Sequence, residues 1–276
     1  MDHPIITIFC AFTRRWAIDG WLDNLAAVQH NPALTNLAFI VDGDEPYIYK
    51  TLQRFAEERG YRALHIKHNT GWSANEMRLT IRRQRVAEIH EQAKTLIAHC
   101  DGDYVIGLED DTVFDRLESF ARLLNPLENH ETDKPKIGFV EGVQMGRWGA
   151  HMVGVWRADD VNYPRKIETL LPPPSNGYEE ITGGGWYGYA TLRRLFLEAP
   201  YFASPSMPWG PDVNFGFWLR QQGWRCLVDW SIVFGHNDHG EVLYPDDPKA
   251  RLVKIVYNKR ADNGKWERSD HEQNRY

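Results

Sequence analysis

Residues 104–111 read YVIGLEDD, an apolar run that ends in three adjacent carboxylates, Glu109, Asp110 and Asp111. A strand that is apolar on both faces is typical of the parallel sheets of α/β proteins, in which both faces are covered. Proteins of this class bind their ligands outside the carboxyl ends of the strands. The stretch therefore predicts a buried strand that carries three acidic side chains to a ligand-binding edge.

Short apolar segments alternate with longer amphipathic ones around this strand, which is the pattern of βαβ units. We predict further strands at residues 5–12, 37–42, 62–67, 136–143, 152–157 and 224–234. We predict helices at residues 16–30, 46–59, 191–199 and 211–222, and a long helix that begins at a capping box of Ser73 and Glu76. The fold class is thus α/β, a single domain with a mixed, mainly parallel sheet flanked by helices.

Two segments give no regular pattern. Three consecutive prolines at 172–174 predict an irregular connection over residues 167–181, because proline cannot lie in a helix interior. The last forty residues are polar, and their fold cannot be predicted from the sequence.

The composition of the 276 residues, 42% apolar and 25% charged, is that of a globular protein. It excludes a disordered, collagen-like or coiled-coil chain. The net charge of −6 argues against a protein that coats nucleic acid nonspecifically, because such binding needs a broad basic surface. A local basic patch is still compatible with this charge.

The sequence predicts neither a membrane span nor a signal peptide. The apolar stretch at residues 4–12 is far shorter than the roughly 20 residues that span a bilayer. The letters RRW follow it, where a signal peptide would have small residues. Three widely spaced cysteines favour buried free thiols in a reducing compartment, so we expect a cytoplasmic location.

The three acids indicate a cation site. Adjacent carboxylates repel one another, so a bound cation would compensate their charge, and oxygen ligands select hard ions such as Mg²⁺ or Mn²⁺. On an extended chain Glu109 and Asp111 point the same way and can share one site, while Asp110 faces elsewhere. The alternative is a solvated acidic turn that precedes a helix beginning near Asp115.

The stretch YVIGLEDDTVFDRLESF resembles the Asp-x-Asp-like motif of the GT-A glycosyltransferases, in the Glu-Asp-Asp form of the animal N-acetylglucosaminyltransferase that starts complex N-glycans. The resemblance extends over residues 5–237. It implies a divalent cation, Mn²⁺ or Mg²⁺, that holds the diphosphate of a nucleotide sugar, with Asp111 as direct ligand and Glu109 beside it. Such a cation stabilises the charge that develops on the expelled nucleoside diphosphate.

The resemblance also implies a domain organisation. We expect a GT-A domain at residues 1–236, with a nucleotide-sugar-binding half at 1–111 and an acceptor half at 112–236. A polar and basic extension follows at residues 237–276. The sequence gives no prediction of the oligomeric state.

Similar enzymes touch the nucleotide from the loop after the first strand and from the end of the second. The loop reads AFTRRW, so Thr13 and Arg14 are the candidates there. Asp42, in FIVDGD, matches the acid that accepts a hydrogen bond from the base, and an acceptor suits the imide N–H of uracil, which favours UDP. The alternatives are a turn with a solvated cation and a turn-forming Asp-Gly pair.

The long helix before the acidic strand carries four arginines, of which Arg78, Arg82 and Arg85 share one face. The resemblance implies that at least one of them reaches the diphosphate, and we assign Arg82 and Arg85, together with Asp110, to the donor site. A solvated helix face is the alternative for most of them.

The acceptor half carries the second part of the resemblance. In similar inverting enzymes a segment rich in glycine and aromatic residues passes close to the donor sugar, which matches Gly184, Gly185 and Trp186 in GGGWYG. A carboxylate at the start of the next helix deprotonates the acceptor hydroxyl, and Asp212 in GPDVNFG matches it, although the usual Glu-Asp pair is absent. The alternative for Asp212 is a helix-capping role.

A histidine after the last predicted strand, His236 in FGHND, matches a position from which several GT-A enzymes supply a ligand to the metal or diphosphate. His239 competes for this role, and a solvated loop histidine is the alternative. Together these residues predict a metal-dependent glycosyltransferase that inverts by direct displacement.

The acceptor prediction depends on the C-terminal segment, where seven cations at positions 249, 251, 254, 259, 260, 265 and 268 are interleaved with Tyr257 and Trp266. Such a segment suits a polyanion, including DNA, and a solvated surface is the alternative. The compact layout resembles the viral glycosyltransferases associated with TET-type dioxygenases. That resemblance implies DNA modification by a virus such as a bacteriophage, in host cytoplasm, on a hydroxymethylated pyrimidine that must be extruded to reach Asp212.

Three rival functions remain open. The acceptor could instead be a glycan, a lipid-linked sugar or a protein. A sugar-phosphate nucleotidylyltransferase would share the fold but needs a glycine-rich phosphate loop, which AFTRRWAIDG is not. A noncatalytic carbohydrate- or DNA-binding module could use the aromatic residues, since seven of the eleven tryptophans lie between residues 148 and 230.

Overall fold

The structure is a computed structural model, and it describes residues 4–42, 46–69, 79–128, 136–146, 152–173, 176–204, 206–247, 250 and 252–272. Six helices lie within these residues: α1 (Ile18–Ala27), α2 (Pro46–Arg59), α3 (Leu79–Ile97), α4 (Ala121–Glu128), α5 (Arg193–Glu198) and α6 (Pro211–Gln221). None of the helices in this part of the chain is long and apolar enough to cross a membrane.

Sixteen strands lie within the same residues. The first eight are β1 (Ile6–Phe12), β2 (Thr35–Asp42), β3 (Ala63–Asn69), β4 (Tyr104–Glu109), β5 (Thr112–Val113), β6 (Ile137–Val143), β7 (Val155–Ala158) and β8 (Lys166–Thr169). The others are β9 (Tyr178–Ile181), β10 (Gly183–Gly184), β11 (Gly188–Leu192), β12 (Arg225–Val233), β13 (Gly235–Asp238), β14 (Glu241–Leu243), β15 (Val253–Lys259) and β16 (Trp266–Glu272).

The largest sheet has the strand order β3-β2-β1-β4-β11-β6-β12-β9. Six of its eight strands run in one direction, and β11 and β9 run against them. The sheet confirms the predicted α/β class with a mixed, mainly parallel sheet, while the single-domain arrangement stays a prediction. Since β1, β2 and β4 are parallel neighbours of this sheet, their carboxyl ends meet at one edge.

Helices pack on the sheet through two separate clusters of buried side chains. The cluster that contains Ile8 and Phe12 of β1 also contains the buried faces of α1, α2 and α4. The cluster that contains Phe9 of β1 includes the buried faces of α3, α5 and α6. Successive side chains of a strand point to opposite faces, so the alternation along β1 assigns each helix set to its own face.

Most predicted elements are confirmed to within a few residues, and Gly60 and Gly223 follow their helices at φ values of 68° and 81°, as residues that end helices often do. The helix predicted at 16–30 is instead a 3₁₀ turn at Arg15–Ala17 followed by α1. The strand predicted at 152–157 begins only at Val155. Ser73, Glu76 and Arg78 lie outside the described residues.

The predicted irregular connection at 167–181 is wrong, because it contains most of β8 and the whole of β9. Prolines 172 and 173 lie between these two strands and interrupt neither of them. The prolines therefore did not justify predicting an irregular structure for the whole segment. The predicted helix at 191–199 is also wrong in its first turn. Thr191 belongs to β11 and pairs with Val105 and Phe139 on its two sides, so sheet pairing overrides local helix propensity.

The C-terminal residues join a second sheet with the order β10-β7-β8-β15-β16. A third sheet, β14-β13-β5, ties the segment after β12 to the residues that follow β4. Residues from both halves of the chain therefore contribute to one region above the carboxyl edge of the large sheet. The predicted domain boundaries stay predictions.

Candidate active site

The acidic stretch turns sharply at the carboxyl end of β4. Glu109 is the last residue of the strand and is half-buried, while Asp110 and Asp111 in the following turn are each only 2% exposed. The Trp21 indole N–H donates to the Glu109 carbonyl oxygen at 3.1 Å. The Thr112 hydroxyl donates to the carbonyl oxygen of Tyr187 at 2.7 Å. These bonds hold the turn between α1 on one side and the segment that carries Tyr187 on the other.

Asp110 faces the loop after β1. Its Oδ2 accepts the backbone N–H of Thr13 at 2.7 Å and that of Arg14 at 2.9 Å, and also the Thr13 hydroxyl at 3.1 Å. Its Oδ1 accepts from the Arg14 guanidinium. Asp110 therefore fixes the conformation of the loop that carries Thr13 and Arg14.

We predict that this arrangement makes Asp110 important for stability. Asp110→Ala removes the nearest buried partner of the Arg14 guanidinium and the acceptor of the Thr13 and Arg14 backbone N–H groups, and it should lower the free energy of unfolding by about 3 kcal/mol. Urea unfolding of the purified variant measures this value. The matched control is Asp101→Ala, which removes an exposed pair with Arg62 and should have little effect. Equal losses of unfolding free energy in the two variants would show that the Asp110 contacts stabilise the fold no more than an exposed ion pair does.

Arg14 also lies 3.2 Å from Asp111, between Nη1 and Oδ2. Burial opposes the positive charge, but Asp110, Asp111 and Glu109 outweigh it and raise the pKa of Arg14. Burial lowers the pKa of Arg85 the most. The positive charge of Arg14 lowers it further, and Asp110 raises it, so Arg85 lies close to both. The structure thus brings Arg85 to the same charge cluster. Arg82 lies one turn earlier on α3.

His236 faces Asp111 from β13. Its Nδ1–H donates to the Met145 carbonyl oxygen at 2.8 Å, and a carbonyl can only accept, so this nitrogen carries the hydrogen. Its Nε2 lies 3.2 Å from Asp111 Oδ2. Strand β13 pairs with β5, which places His236 opposite Thr112. The imidazole thus presents Nε2 to a carboxylate, an arrangement that either a proton or a shared cation would stabilise.

Asp212 is the second residue of α6, after Pro211, and Gly210 precedes the helix. Burial raises the pKa of Asp212 to about 6, although the N–H groups of Val213 and of Asp212 itself and the positive charge of Arg83 oppose the shift. A carboxylate with this pKa is ionised at neutral pH and still basic enough to accept a proton, as a general base requires.

Four carboxyl groups surround Tyr187. Burial raises the pKa of its phenol well above the usual range, and Glu109, Asp212, Glu141 and Asp111 raise it further, in that order. Burial likewise raises the pKa of Glu109 to about 8, and Asp111 adds to the shift while Arg14 opposes it. Ionising these acids together is therefore unfavourable, even with Arg14 nearby, and a bound cation would favour their ionised forms.

The residues at hand fit a divalent cation. Glu109 and Asp111 supply carboxylate oxygens and His236 supplies a nitrogen, and Mn²⁺ accepts both kinds of ligand. In the described ranges no three histidine, cysteine, aspartate or glutamate side chains already converge as a complete ligand set. The fit therefore rests on the kinds of ligand and on the electrostatic repulsion between Glu109 and Asp111, which a cation would relieve.

A cavity of about 120 Å³ adjoins the acidic turn on the α3 side. Thr13, Arg14, Glu109, Asp110 and Trp186 line it together with His90 of α3. A larger groove of about 870 Å³ lies at the opposite edge of the sheet, where β1, β2 and β4 begin, and none of the predicted site residues lines it. Of the predicted donor residues, Thr13, Arg14, Asp110 and Trp186 line the smaller cavity.

The Trp186 indole is buried and stacks on His90, with ring centroids 3.9 Å apart. Its backbone has a φ of 61°, a left-handed conformation that few residues other than glycine adopt. Gly184 belongs to β10, and a Cβ on it would overlap the Glu141 carboxyl group. Gly185 follows and lies against the Tyr187 ring.

His90 makes folding stability sensitive to pH. Burial lowers the pKa of His90 to about 4 from an ordinary value of 6.5. The unfolded chain then binds the proton more readily, so stability falls as the pH drops from 6.5 toward 4, by up to about 3 kcal/mol. We expect His90→Phe to lose less stability than the wild type between pH 7 and pH 5 in urea unfolding. Parallel losses in the two proteins would contradict this.

The sequence analysis missed several residues of this region. Glu141 is a buried acid in an otherwise apolar strand, which the sequence IGFVEGV shows but which we did not use. Arg83 of α3 donates to the carbonyl oxygens of Met207 (3.4 Å) and Pro208 (2.6 Å), just before α6, a contact that spacing cannot reveal. Asp42 ends β2, and its side chain lies outside the described residues.

Most tryptophans of the second half pack in the interior. Trp186 and Trp230 belong to the cluster of α3, α5 and α6, and Trp156 and Trp209 to a third cluster beside α6. Trp148 lies outside the described residues. Their number therefore reflects core packing to a large extent.

No protein-family model matches this sequence, and no curated protein matches it either. Several solved structures have a similar fold. A mannosyltransferase from Pyrobaculum calidifontis, in complex with GDP-Man and Mn²⁺, matches at 14% identity over 84% of this chain and 56% of that chain, with a TM-score of 0.52. GalNAc-T7 with UDP, GalNAc and Mn²⁺ matches at 12% identity over 83% of this chain and 43% of that chain, with a TM-score of 0.50.

A nucleoside-diphosphate-sugar pyrophosphorylase from Vibrio cholerae also matches, at 12% identity over 82% of this chain and 91% of that chain. Its TM-score of 0.44 is too low to support an argument. The chain spans about half the length of the two glycosyltransferases. At these identities the likeness shows the fold alone, which is that of the GT-A-type glycosyltransferases.

Proposed function

We propose that this chain is a metal-dependent glycosyltransferase that moves a sugar from a nucleotide-diphosphate sugar to an acceptor hydroxyl. The observation that carries the proposal is the cluster of acids around Tyr187, which unites Glu109 and Asp111 with Asp212. Glu109 and Asp111 are suited to bind a cation, and Asp212 is suited to accept a proton. Two similar structures support the proposal, since one is in complex with GDP-Man and Mn²⁺ and the other holds UDP, GalNAc and Mn²⁺.

In the proposed mechanism Asp111, Glu109 and His236 would hold a divalent cation, which stabilises charge on the diphosphate leaving group. Arg14 and Thr13 lie at the cavity next to these acids and would bind the donor, with Arg85 adding positive charge and the residues 184–186 lining the sugar. Asp212 accepts the proton of the acceptor hydroxyl as its oxygen attacks the anomeric carbon and the sugar–phosphate bond breaks. A single displacement of this kind inverts the anomeric configuration.

The proposed donor nucleotide and the proposed acceptor are both inferred from the sequence. UDP is the proposed nucleotide, from Asp42, and a hydroxymethylated pyrimidine in DNA is the proposed acceptor. Three of the described cations of the C-terminal segment give DNA no further support, because Lys254 pairs with Glu168 at 3.0 Å, Arg260 with Glu267 at 3.0 Å and Arg268 with Asp270 at 2.7 Å. Lys249 and Arg251 lie outside the described residues.

A mass-spectrometric screen tests the function. The purified protein is incubated with UDP- and GDP-sugars and Mn²⁺, with hydroxymethylated DNA and simple glycans as alternative acceptors. We expect a product heavier by one sugar, and its formation should stop when EDTA removes the metal. Sugar-nucleotide synthesis from a sugar phosphate and a nucleoside triphosphate, without transfer, would contradict the proposal and favour a nucleotidylyltransferase.

Calorimetry distinguishes the enzyme from a noncatalytic binding module. A glycosyltransferase of this kind should bind UDP or GDP much more tightly with Mn²⁺ than without it. A module that uses aromatic faces should bind sugar or DNA with no dependence on metal or nucleotide.

A further inference from the structure

Glu141 is an acid in the interior of the large sheet. It lies in the middle of β6 between β11 and β12, where it pairs with Tyr189 and Val228, and only 1% of it is exposed. Its strand neighbours in IGFVEGV are all buried. A buried carboxyl group without partners is costly, so its retention at this position asks for a structural reason.

The carboxyl group of Glu141 lies against the glycine-rich segment that precedes β11. It occupies the space that a side chain at Gly184 would fill, so glycine is required there. The backbone N–H groups of Gly185 and Trp186 favour its ionised form and so oppose the effect of burial. Within the described residues its Oε1 has no hydrogen-bond partner. The carboxyl group of Glu141 thus lies against Gly184 and close to the N–H groups of the next two residues.

This segment connects the two parts of the proposed site. On one side it leads into Tyr187, whose carbonyl oxygen accepts the Glu109 N–H at 3.4 Å and the Thr112 hydroxyl. On the other side Gly183 packs against α6, since a Cβ on Gly183 would lie 3.3 Å from the Gly216 Cα. A shift of the segment would therefore move the acidic turn relative to the helix that carries Asp212.

The conformation of the segment needs support. Trp186 adopts a φ of 61°, which costs energy in a residue that has a side chain. Its indole stacks on His90, and the carboxyl group of Glu141 lies against Gly184, two residues earlier. Two independent contacts thus support a strained residue beside the proposed donor cavity.

We propose that Glu141 is a positioning residue, whose carboxyl group fixes the backbone of residues 184–186 and thereby the distance between the Glu109–Asp111 turn and Asp212. The expected effect on catalysis rests on the proposed function. The contact between Glu141 and the backbone of residues 184–186 can be tested without any activity. Burial and the nearby Asp212 raise the pKa of Glu141 well above its ordinary value, so its neutral form is favoured. Glutamine resembles this neutral form in shape and charge.

The test compares Glu141→Gln, Glu141→Leu and Gly184→Ala with the wild type. Glutamine keeps an acceptor oxygen, so Glu141→Gln should retain kcat to within about fivefold. Leucine fills similar space without an acceptor, and Glu141→Leu should lower kcat by about 100-fold while the donor KM changes little. Gly184→Ala should reproduce the leucine variant, because its Cβ displaces the carboxyl group. Asp229→Asn, at an acid of β12 that is 4% exposed, is the control for loss of a buried carboxylate.

Hydrogen exchange provides a readout that needs no activity. The backbone N–H groups of Gly185 and Trp186 should exchange much faster in Glu141→Leu and Gly184→Ala, at near wild-type rates in Glu141→Gln, and without change in Asp229→Asn. Unchanged exchange in folded Glu141→Leu, or a kcat equal to that of the wild type, would overturn the inference. A wild-type protein without transferase activity would refute the proposed function, and the exchange rates would still decide whether Glu141 holds this segment.

Discussion

Replacing Asp111 by Asn is expected to abolish metal-dependent transfer, with a loss in kcat of about 1,000-fold or more. Asn has a similar shape but no negative charge, so the proposed cation loses its direct carboxylate ligand. The same substitution should remove the Mn²⁺ dependence of nucleotide binding, which calorimetry measures. Both effects have one physical cause, since the cation is proposed to join the acids of the turn to the diphosphate.

The matched control for this prediction is Asp229→Asn, which changes a similarly buried aspartate outside the site. Asp229 accepts from the backbone N–H and the hydroxyl of Ser231 within β12, so its loss is local. Circular dichroism should show that both variants fold. Full activity of Asp111→Asn with Mn²⁺ would refute the assignment of the metal to this turn.

Replacing Asp212 by Asn should remove transfer but leave the donor bound. A positioned general base contributes about 100-fold to 10,000-fold, and asparagine cannot accept the acceptor's proton. We expect the Kd for the nucleotide with Mn²⁺ to stay within about threefold of the wild type, because Asp212 is proposed to contact the acceptor and not the nucleotide. A large loss of nucleotide affinity with normal turnover would instead assign Asp212 to donor binding.

The pH dependence of the wild type provides a second test of Asp212. The base must be ionised, and its pKa is about 6, so kcat/KM should fall about tenfold per pH unit below that value. The raised pKa also means that ionised Asp212 destabilises the folded state, increasingly as the pH rises from 4 to 6. Asp212→Asn should therefore raise Tm at pH 7.5, and this gain should shrink as the pH falls toward 4. A lower Tm at pH 7.5 would contradict the sign of this argument.

The sequence predicts the donor side of the fold well because its signals are local. Residues 104–108 are apolar enough to be recognised as a doubly covered strand, and the acids after them mark its end. The antiparallel strand β11 escapes prediction because Thr191 and Leu192 precede a helix and carry no strand signal of their own. Only their pairing with β4 and β6, which are distant in sequence, makes them a strand.

The candidate site was predictable where residue type and position in a strand or helix were sufficient. Asp111 and His236 were identified separately, and the structure brings them to 3.2 Å. The role of Asp110 in holding Thr13 and Arg14 was not predicted, because it depends on how two loops meet. Glu141 was overlooked since a single acid in an apolar strand has no periodicity.

Strand β11 has a consequence for the order of events during synthesis on the ribosome. It fills the place beside β4, yet it follows β4 in the chain by about eighty residues, and His236 follows later still. Until these residues have emerged, one edge of β4 lacks its partner and the acidic turn lacks Tyr187 and the imidazole. Such long-range closure is slow compared with helix formation. The nascent chain therefore completes the surroundings of the acidic turn only when β11 and β13 have also formed, so the turn and the strands that close it mature together.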